Sequence, residues 1–283
     1  MKKRTLALFM AACLVCTSIS VSAAEEAAFS VSGMTTEYLQ DPVGIEADSV
    51  HFGWQMDSGI IGKMQSAYQI QVYRAGNDEP VWDSGKVESS DSVGIPYGGG
   101  TPLEEGTAYQ WTVTVWDEDG VSVTSDMGTF ETGVSNQDTW KNAEFIRLNQ
   151  SSSAPIFRTE QVLQGEVASA RLYITALGAY QAYINGERAG TVDAEGNTEY
   201  HHMNPGYGNG NVSLGYQTYD VTSLLEGENT AAVSVLAGNG WKFGLATTSA
   251  QPAVKAWLKV TYTDGGRQDI VTNTSDWKGT LDG

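Results

Sequence analysis

The chain has 283 residues and sets 34 Asp and Glu against 16 Lys and Arg, a net charge of −18 that argues against nucleic acid or an anionic membrane surface as a partner. Its two cysteines, Cys13 and Cys16, both fall inside what reads as a cleaved leader. The mature chain therefore cannot use disulfides, and its roughly 260 residues suggest two domains held by buried cores alone.

Met1-Lys2-Lys3-Arg4, an apolar stretch from Leu6 to Val15 and the small residues Val21-Ser22-Ala23-Ala24 read as a signal peptide spanning 1–23, cut after Ala23 or one residue later. Met10-Ala11-Ala12-Cys13 is similar to a lipoprotein box, but cutting there leaves an apolar region of only about six residues against the usual ~7 to 15. A secreted, extracellular protein is expected, with no membrane association after signal removal. Losing the leader's three basic residues leaves 13 positive against 34 negative charges, or −21. Acidity of this size keeps an exported protein soluble; it also suits calcium, the rarer use. No other apolar run reaches the ~18 residues of a membrane span.

After the leader nearly everything alternates apolar and polar, with turn residues every 8 to 12 positions, and helical periodicity is almost absent. An all-β protein is expected. Residues 28–133 predict strands near Phe29–Val31, Ser49–Gln55, Ala67–Arg74, Val81–Asp83, Ala108–Trp116 and Met127–Glu131, the size and rhythm of an immunoglobulin or fibronectin III-like sandwich. Trp54, Tyr109 and Trp111 are its candidate core aromatics. Asp117-Glu118-Asp119-Gly120 misses the spacing of a calcium loop and is expected to be a solvated hairpin tip.

A linker over 134–153 is polar at both ends, but Trp140, Phe145 and Ile146 predict that it packs against a neighbour. Residues 154–283 are again β, with strands near Ile156–Gln161, Ala168–Ala176, Ala179–Ile184, Val212–Asp220, Thr230–Ala237, Ala256–Tyr262 and Gln268–Asn273. Asn185-Gly186 between Tyr180–Ile184 and Glu187–Ala189 is the strongest hairpin signal, because both turn positions need φ > 0. Asp220 to Leu225 reads as one capped helical turn. A jelly-roll sandwich fits this count. The sequence reaches Gly283 just after a Trp277 strand and a turn, which leaves open the loss of its last strand.

Val81-Trp82-Asp83-Ser84-Gly85-Lys86-Val87, Tyr109-Gln110-Trp111 and Val115-Trp116-Asp117 resemble the sandwich domain that opens bacterial α-L-rhamnosidases. Ala170-Arg171-Leu172-Tyr173-Ile174, Ile184-Asn185-Gly186-Glu187-Arg188, Tyr216-Gln217-Thr218-Tyr219-Asp220 and Gly238-Asn239-Gly240-Trp241 resemble that family's following jelly-roll domain, in the right order over essentially the whole mature chain. The resemblance implies a glycoside hydrolase whose carboxylates sit on an (α/α)₆ barrel C-terminal to these domains, a barrel missing from the sequence. Inverting hydrolysis needs two carboxyl groups about 6.5 to 9.5 Å apart. Glu25-Glu26, Glu104-Glu105 and Asp117–Asp119 are adjacent acids on loops or termini, so no catalytic residue is assigned.

Where such jelly rolls bind sugar, the resemblance implies calcium held by asparagine oxygens near the hairpin and the Gly-Asn-Gly-Trp loop, which points to Asn185 and Asn239 as metal ligands. Ile184 stands where an acidic neighbour would be wanted, and the hairpin turn alone accounts for Asn185. Trp241 is the candidate sugar platform, since an indole face stacks on the apolar side of a pyranose, with Asn239 taking hydroxyls. Trp241 could equally seal a domain interface. The loop Val192–Asn211 adds Tyr207, with Tyr200, as secondary sugar contacts. His201 and His202 are adjacent and in a strand would face opposite ways, which speaks against a shared metal.

The expected function is the non-catalytic N-terminal part of a secreted α-L-rhamnosidase, with rhamnose-containing carbohydrate and the C-terminal barrel of the parent enzyme as partners. The sequence also admits a free-standing secreted carbohydrate-binding protein, or a pair of spacer domains without a ligand. The final strand and turn favour the first.

Overall fold

The computed structural model describes residues 29–135, 140–150, 154–190, 215–239 and 251–281. Two β-sandwiches follow one another, each around its own apolar core.

In the first, β1 (Phe29–Thr36), β3 (His51–Ser58) and β6 (Ile95–Pro96) form one sheet. The other runs β2-β9-β7-β4-β5, from β2 (Val43–Ile45) and β9 (Gly128–Thr132) through β7 (Ala108–Asp117) to β4 (Gln65–Arg74) and β5 (Pro80–Asp83), with β8 (Ser122–Thr124) beside β7. Alternation decides the faces: Tyr109, Trp111, Val113 and Val115 of β7 are buried while Gln110, Thr112 and Thr114 are not. Trp111 meets Phe52 at 4.6 Å between centroids, and Tyr109 stacks on Phe130 at 5.2 Å. The indole N–H of buried Trp54 donates to Gln65 Oε1 at 2.9 Å, so the bulky ring enters the core without an orphaned donor.

In the second, a five-stranded sheet runs β13-β12-β15-β10-β18 and a four-stranded one β14-β11-β16-β17. The members are β10 (Ile156–Val162), β11 (Val167–Leu177), β12 (Ala179–Ile184), β13 (Glu187–Arg188), β14 (Gln217–Asp220), β15 (Thr230–Gly238), β16 (Ala253–Tyr262), β17 (Arg267–Val271) and β18 (Lys278–Thr280). Gly178, at φ +122°, carries the chain from one sheet to the other; a Cβ there would strike the Gly238 carbonyl. The helical turn is a short 3₁₀ element, Thr222–Leu224, and Asp220 Oδ1 accepts from the Thr222 N–H at 2.9 Å. A β-strand at Lys278–Thr280, just past Trp277, pairs with Ile156–Arg158 at the sheet edge.

The four-stranded sheet is buried on both faces. Leu172 and Ile174 point into the sandwich, while Tyr173 and Trp257 form a second apolar cluster outside it with Val134, Trp140 and Ala143. The segment at 140–146 covers this face with Trp140 and Ala143 and then runs alongside β16, where Ile146 bridges to Val254 and enters the inner core, and Glu144 N–H donates to Thr272 O at 2.8 Å. Trp140 and Ile146 are buried, whereas Phe145 remains exposed.

The same face meets the first domain. Arg171 Nε lies 2.7 Å from Glu131 Oε2, Tyr173 Oη donates to Glu131 Oε1 at 3.2 Å, Lys259 Nζ donates to Gly106 O at 2.9 Å, and Val134 N–H donates to Tyr216 Oη at 2.6 Å. Gly44 and Gly133 let the second domain come close: a Cβ on Gly44 would lie 2.5 Å from Thr218 Oγ1, and one on Gly133 would strike the Tyr216 hydroxyl. Desolvation holds the Lys259 ammonium below the ordinary lysine range, and burial followed by the Glu131 charge pushes the Tyr173 phenol up.

Candidate functional site

The Asn185-Gly186 hairpin adopts the expected geometry, with φ +50° and +88° and Ile184 paired to Glu187. The Asn185 carboxamide is engaged on both sides. Its Oδ1 accepts from Ala232 N–H at 2.8 Å, and its Nδ2 donates to Thr230 O at 3.1 Å and Leu224 O at 3.3 Å. It fastens the hairpin to the start of β15.

Asn239 follows β15 at the other end of the same ladder. The β12–β15 register runs from Ala179 opposite Gly238 to Ile184 opposite Val233. Asn185 lies opposite Ala232, seven positions before Asn239, so at about 3.4 Å per residue the two are roughly 24 Å apart, while calcium binds oxygens at about 2.3–2.6 Å. The pair expected to share an ion does not come together. Among the described residues no group of three His, Cys, Asp or Glu is placed to hold a metal. Asn239 Oδ1 is buried without a hydrogen-bond partner, so it has acceptor capacity that Asn185 has largely spent. Trp241 and Tyr207, together with Tyr200, His201 and His202, lie outside the described residues.

Close to Asn239 the structure gathers a group the sequence reading did not single out. Tyr180 on β12, opposite Ala237, donates to Gln217 Oε1 at 2.7 Å and lies 3.3 Å from the Tyr219 hydroxyl, which itself bonds Gln217. Burial, reinforced by Tyr219, pushes the Tyr180 phenol well above its ordinary value, so it stays neutral at physiological pH. The parity of Gln217 and Tyr219 on one strand was the available signal, since both must face the same side.

The acidic turn of the first domain has an internal cation. Lys63 Nζ lies 2.7 Å from both Asp117 Oδ2 and Asp119 Oδ2 and 3.5 Å from Glu118 Oε1. Asp117 is almost wholly buried and its Oδ1 also accepts from the N–H groups of Val121 and Asp119. The tip is solvated at Glu118–Gly120, as expected, while Asp117 is buried and one ammonium from the β3–β4 connection offsets part of the turn's negative charge. The other acidic pair, Glu104-Glu105, is spent on Arg74 and on Ser135.

Residues 31–136 match the family described as Rha78A-like, N-terminal immunoglobulin domain, and residues 165–283 match the alpha-L-rhamnosidase N-terminal domain. An alpha-L-rhamnosidase of Formosa agariphila is 33% identical over 273 residues, covering 88% of this chain and 28% of its own length. The solved alpha-L-rhamnosidases of Dictyoglumus thermophilum and Aspergillus terreus superpose with TM-scores of 0.74 and 0.72 at 28% and 31% identity, each covering 89% of this chain and 29% of theirs. The chain spans between a quarter and a third of the length of these relatives. It belongs to the N-terminal region of the α-L-rhamnosidase family, an immunoglobulin-like domain followed by the family's N-terminal domain, with no catalytic barrel among the described residues.

Proposed function

We propose that these two domains form the non-catalytic front of a secreted α-L-rhamnosidase, in which a C-terminal barrel removes terminal α-L-rhamnose and the jelly roll holds rhamnose-bearing glycan. The observation that carries the reading is the pairing of two family matches in order with relatives named alpha-L-rhamnosidase, each about three to four times longer than the aligned segment. Export rests on the leader at 1–23. Sugar binding rests on Asn239, whose unpaired oxygen adjoins the Gly240-Trp241 segment, with Trp241 as stacking platform and Tyr207 as a further contact. Calcium, if used here, is recruited by Asn239 without Asn185.

Calorimetry of the chain with L-rhamnose, with and without calcium chloride and repeated on Trp241→Ala, tests this reading. Weak binding that Trp241→Ala abolishes is expected. Absence of heat from the parent chain at millimolar sugar would leave the spacer role in its place.

A further inference from the structure

Lys63, Arg74 and Lys86, which are all the Lys and Arg of the first sandwich, each form an ion pair. In the second half Lys141, Arg147, Arg267 and Lys278 form none among the described residues, but all four are exposed and water solvates them. Lys255 on β16 is different: it is half-buried, and it has neither an acid nor a hydrogen-bond acceptor among the described residues. The bridge between Ile146 and Val254 is antiparallel, so it sets Phe145 opposite Lys255 and Arg147 opposite Ala253. Ile146 and Val254 turn into the core, and alternation leaves Phe145, Arg147 and Lys255 together on the outer side.

Lys255 Nζ lies 4.9 Å from the centre of the Trp140 ring and 6.0 Å from that of Phe145. Ring faces attract the ammonium, yet they offer no lone pair to its three N–H donors. Burial pulls Lys255 below the ordinary lysine range and no carboxylate offsets it, whereas Glu131 and Asp269 support Lys259. The two rings differ in what they leave open. Trp140 is buried and meets Tyr216 edge-on at 5.4 Å, while Phe145 is 42% exposed. Arg147 stands about 7 Å farther along the segment on the same side. One patch thus holds a positioned ammonium, an open aromatic face and a second cation, with no acid to neutralise them.

We propose that this patch binds a uronate, a sugar ring bearing a carboxylate, with the carboxylate on Lys255 and the apolar C–H face of the ring on Phe145. A single ligand then supplies the acceptor that the ammonium lacks and covers the ring that solvent now touches. Arg147 receives the next carboxylate of an anionic glycan. The chain's net charge of −18 opposes any anion at long range. At physiological salt, however, exposed charges are screened beyond about 8 Å, so the groups at the patch decide. An acidic peptide would bring a carboxylate without a rigid apolar face and would leave Phe145 without a role. The patch shares no residue with the proposed rhamnose contacts and stands without them.

Calorimetry of the full chain with sodium D-glucuronate, sodium D-galacturonate, neutral D-glucose and D-galactose, and sodium acetate separates ring with carboxylate, ring alone and carboxylate alone. Millimolar binding of a uronate is expected, about tenfold tighter than its neutral sugar or acetate. Lys255→Met keeps the apolar stem between the rings and removes the charge. It should weaken uronate binding by about tenfold, the effect of one lost charge-assisted hydrogen bond, and Phe145→Ala should weaken it several-fold. No heat from either uronate on the parent, or binding that Lys255→Met retains, overturns the proposal. Acetate bound as tightly as the uronates and unaffected by Phe145→Ala would replace the sugar acid with an acidic peptide. Amide shifts in the magnetic resonance spectrum of the labelled parent need no variant to fold: uronate-dependent shifts at Phe145, Arg147 and Lys255 are expected, and shifts confined to other residues contradict the site.

Discussion

Asn185 serves the hairpin twice, through its backbone and its carboxamide. The αL conformation is one that Asn tolerates far better than most residues, and the side chain satisfies three backbone groups from β15 and the adjoining turn. Asn185→Ala should cost about 3 kcal/mol, by leaving those groups unpaired and straining the turn. Urea unfolding checks it, and a loss below about 0.5 kcal/mol would contradict this role. The need for φ > 0 was legible from Asn-Gly alone. The carboxamide's partners were not, because Leu224, Thr230 and Ala232 lie some forty positions away in sequence and meet it only through the β12–β15 pairing.

The Lys63 ammonium ties the β3–β4 connection to the β7–β8 hairpin, beside the Met64 N–H, which donates to Glu118 Oε2 at 3.0 Å. Desolvation opposes the charge on Asp117, but the hydrogen bond from Lys63 and two backbone N–H groups prevail and hold its carboxyl below the usual range; the bond to Asp117 in turn raises Lys63 above the ordinary lysine value. A depressed carboxylate contributes stability above its unfolded value, near 3.9, and loses it as pH falls through the folded one. A raised lysine contributes below its unfolded value, near 10.4, and loses that only at more alkaline pH. The pair therefore stabilises the domain across the interval between, and Lys63→Met should move the acid-unfolding midpoint to higher pH; an unchanged midpoint in far-UV circular dichroism would count against the link. The long strands were readable from persistent patterns: β4, β7 and β15 alternate over many residues, and β11, buried on both faces, reads as a near-continuous apolar run. β2, β6, β8 and β18 have two or three residues each and show no period, so they form only because a neighbour supplies the ladder.

At the scale of the molecule, the outer face of the four-stranded sheet joins the two sandwiches through Arg171, Tyr173, Tyr216, Lys259 and the close approach of Gly44 to Thr218 and of Gly133 to Tyr216. Gly133→Ala should force that approach apart at a cost of roughly 1–3 kcal/mol, and calorimetry should then resolve two unfolding transitions where the parent shows one. Two superimposable single transitions would contradict a coupled pair. The packing of the linker was foreshadowed by Trp140 and Ile146, but the ion pair across the seam was hidden, because Glu131 and Arg171 belong to different domains. The surroundings of Asn239 were hidden for a similar reason: Asn239 stands out in its loop, whereas Tyr180, Gln217 and Tyr219 come together only when β12 packs on β14. The central proposal is that these two domains form the non-catalytic front of a rhamnosidase. Incubating the purified chain with an aryl α-L-rhamnoside and measuring released rhamnose tests it most directly: release no greater than the buffer blank is predicted, and release proportional to protein concentration would contradict it.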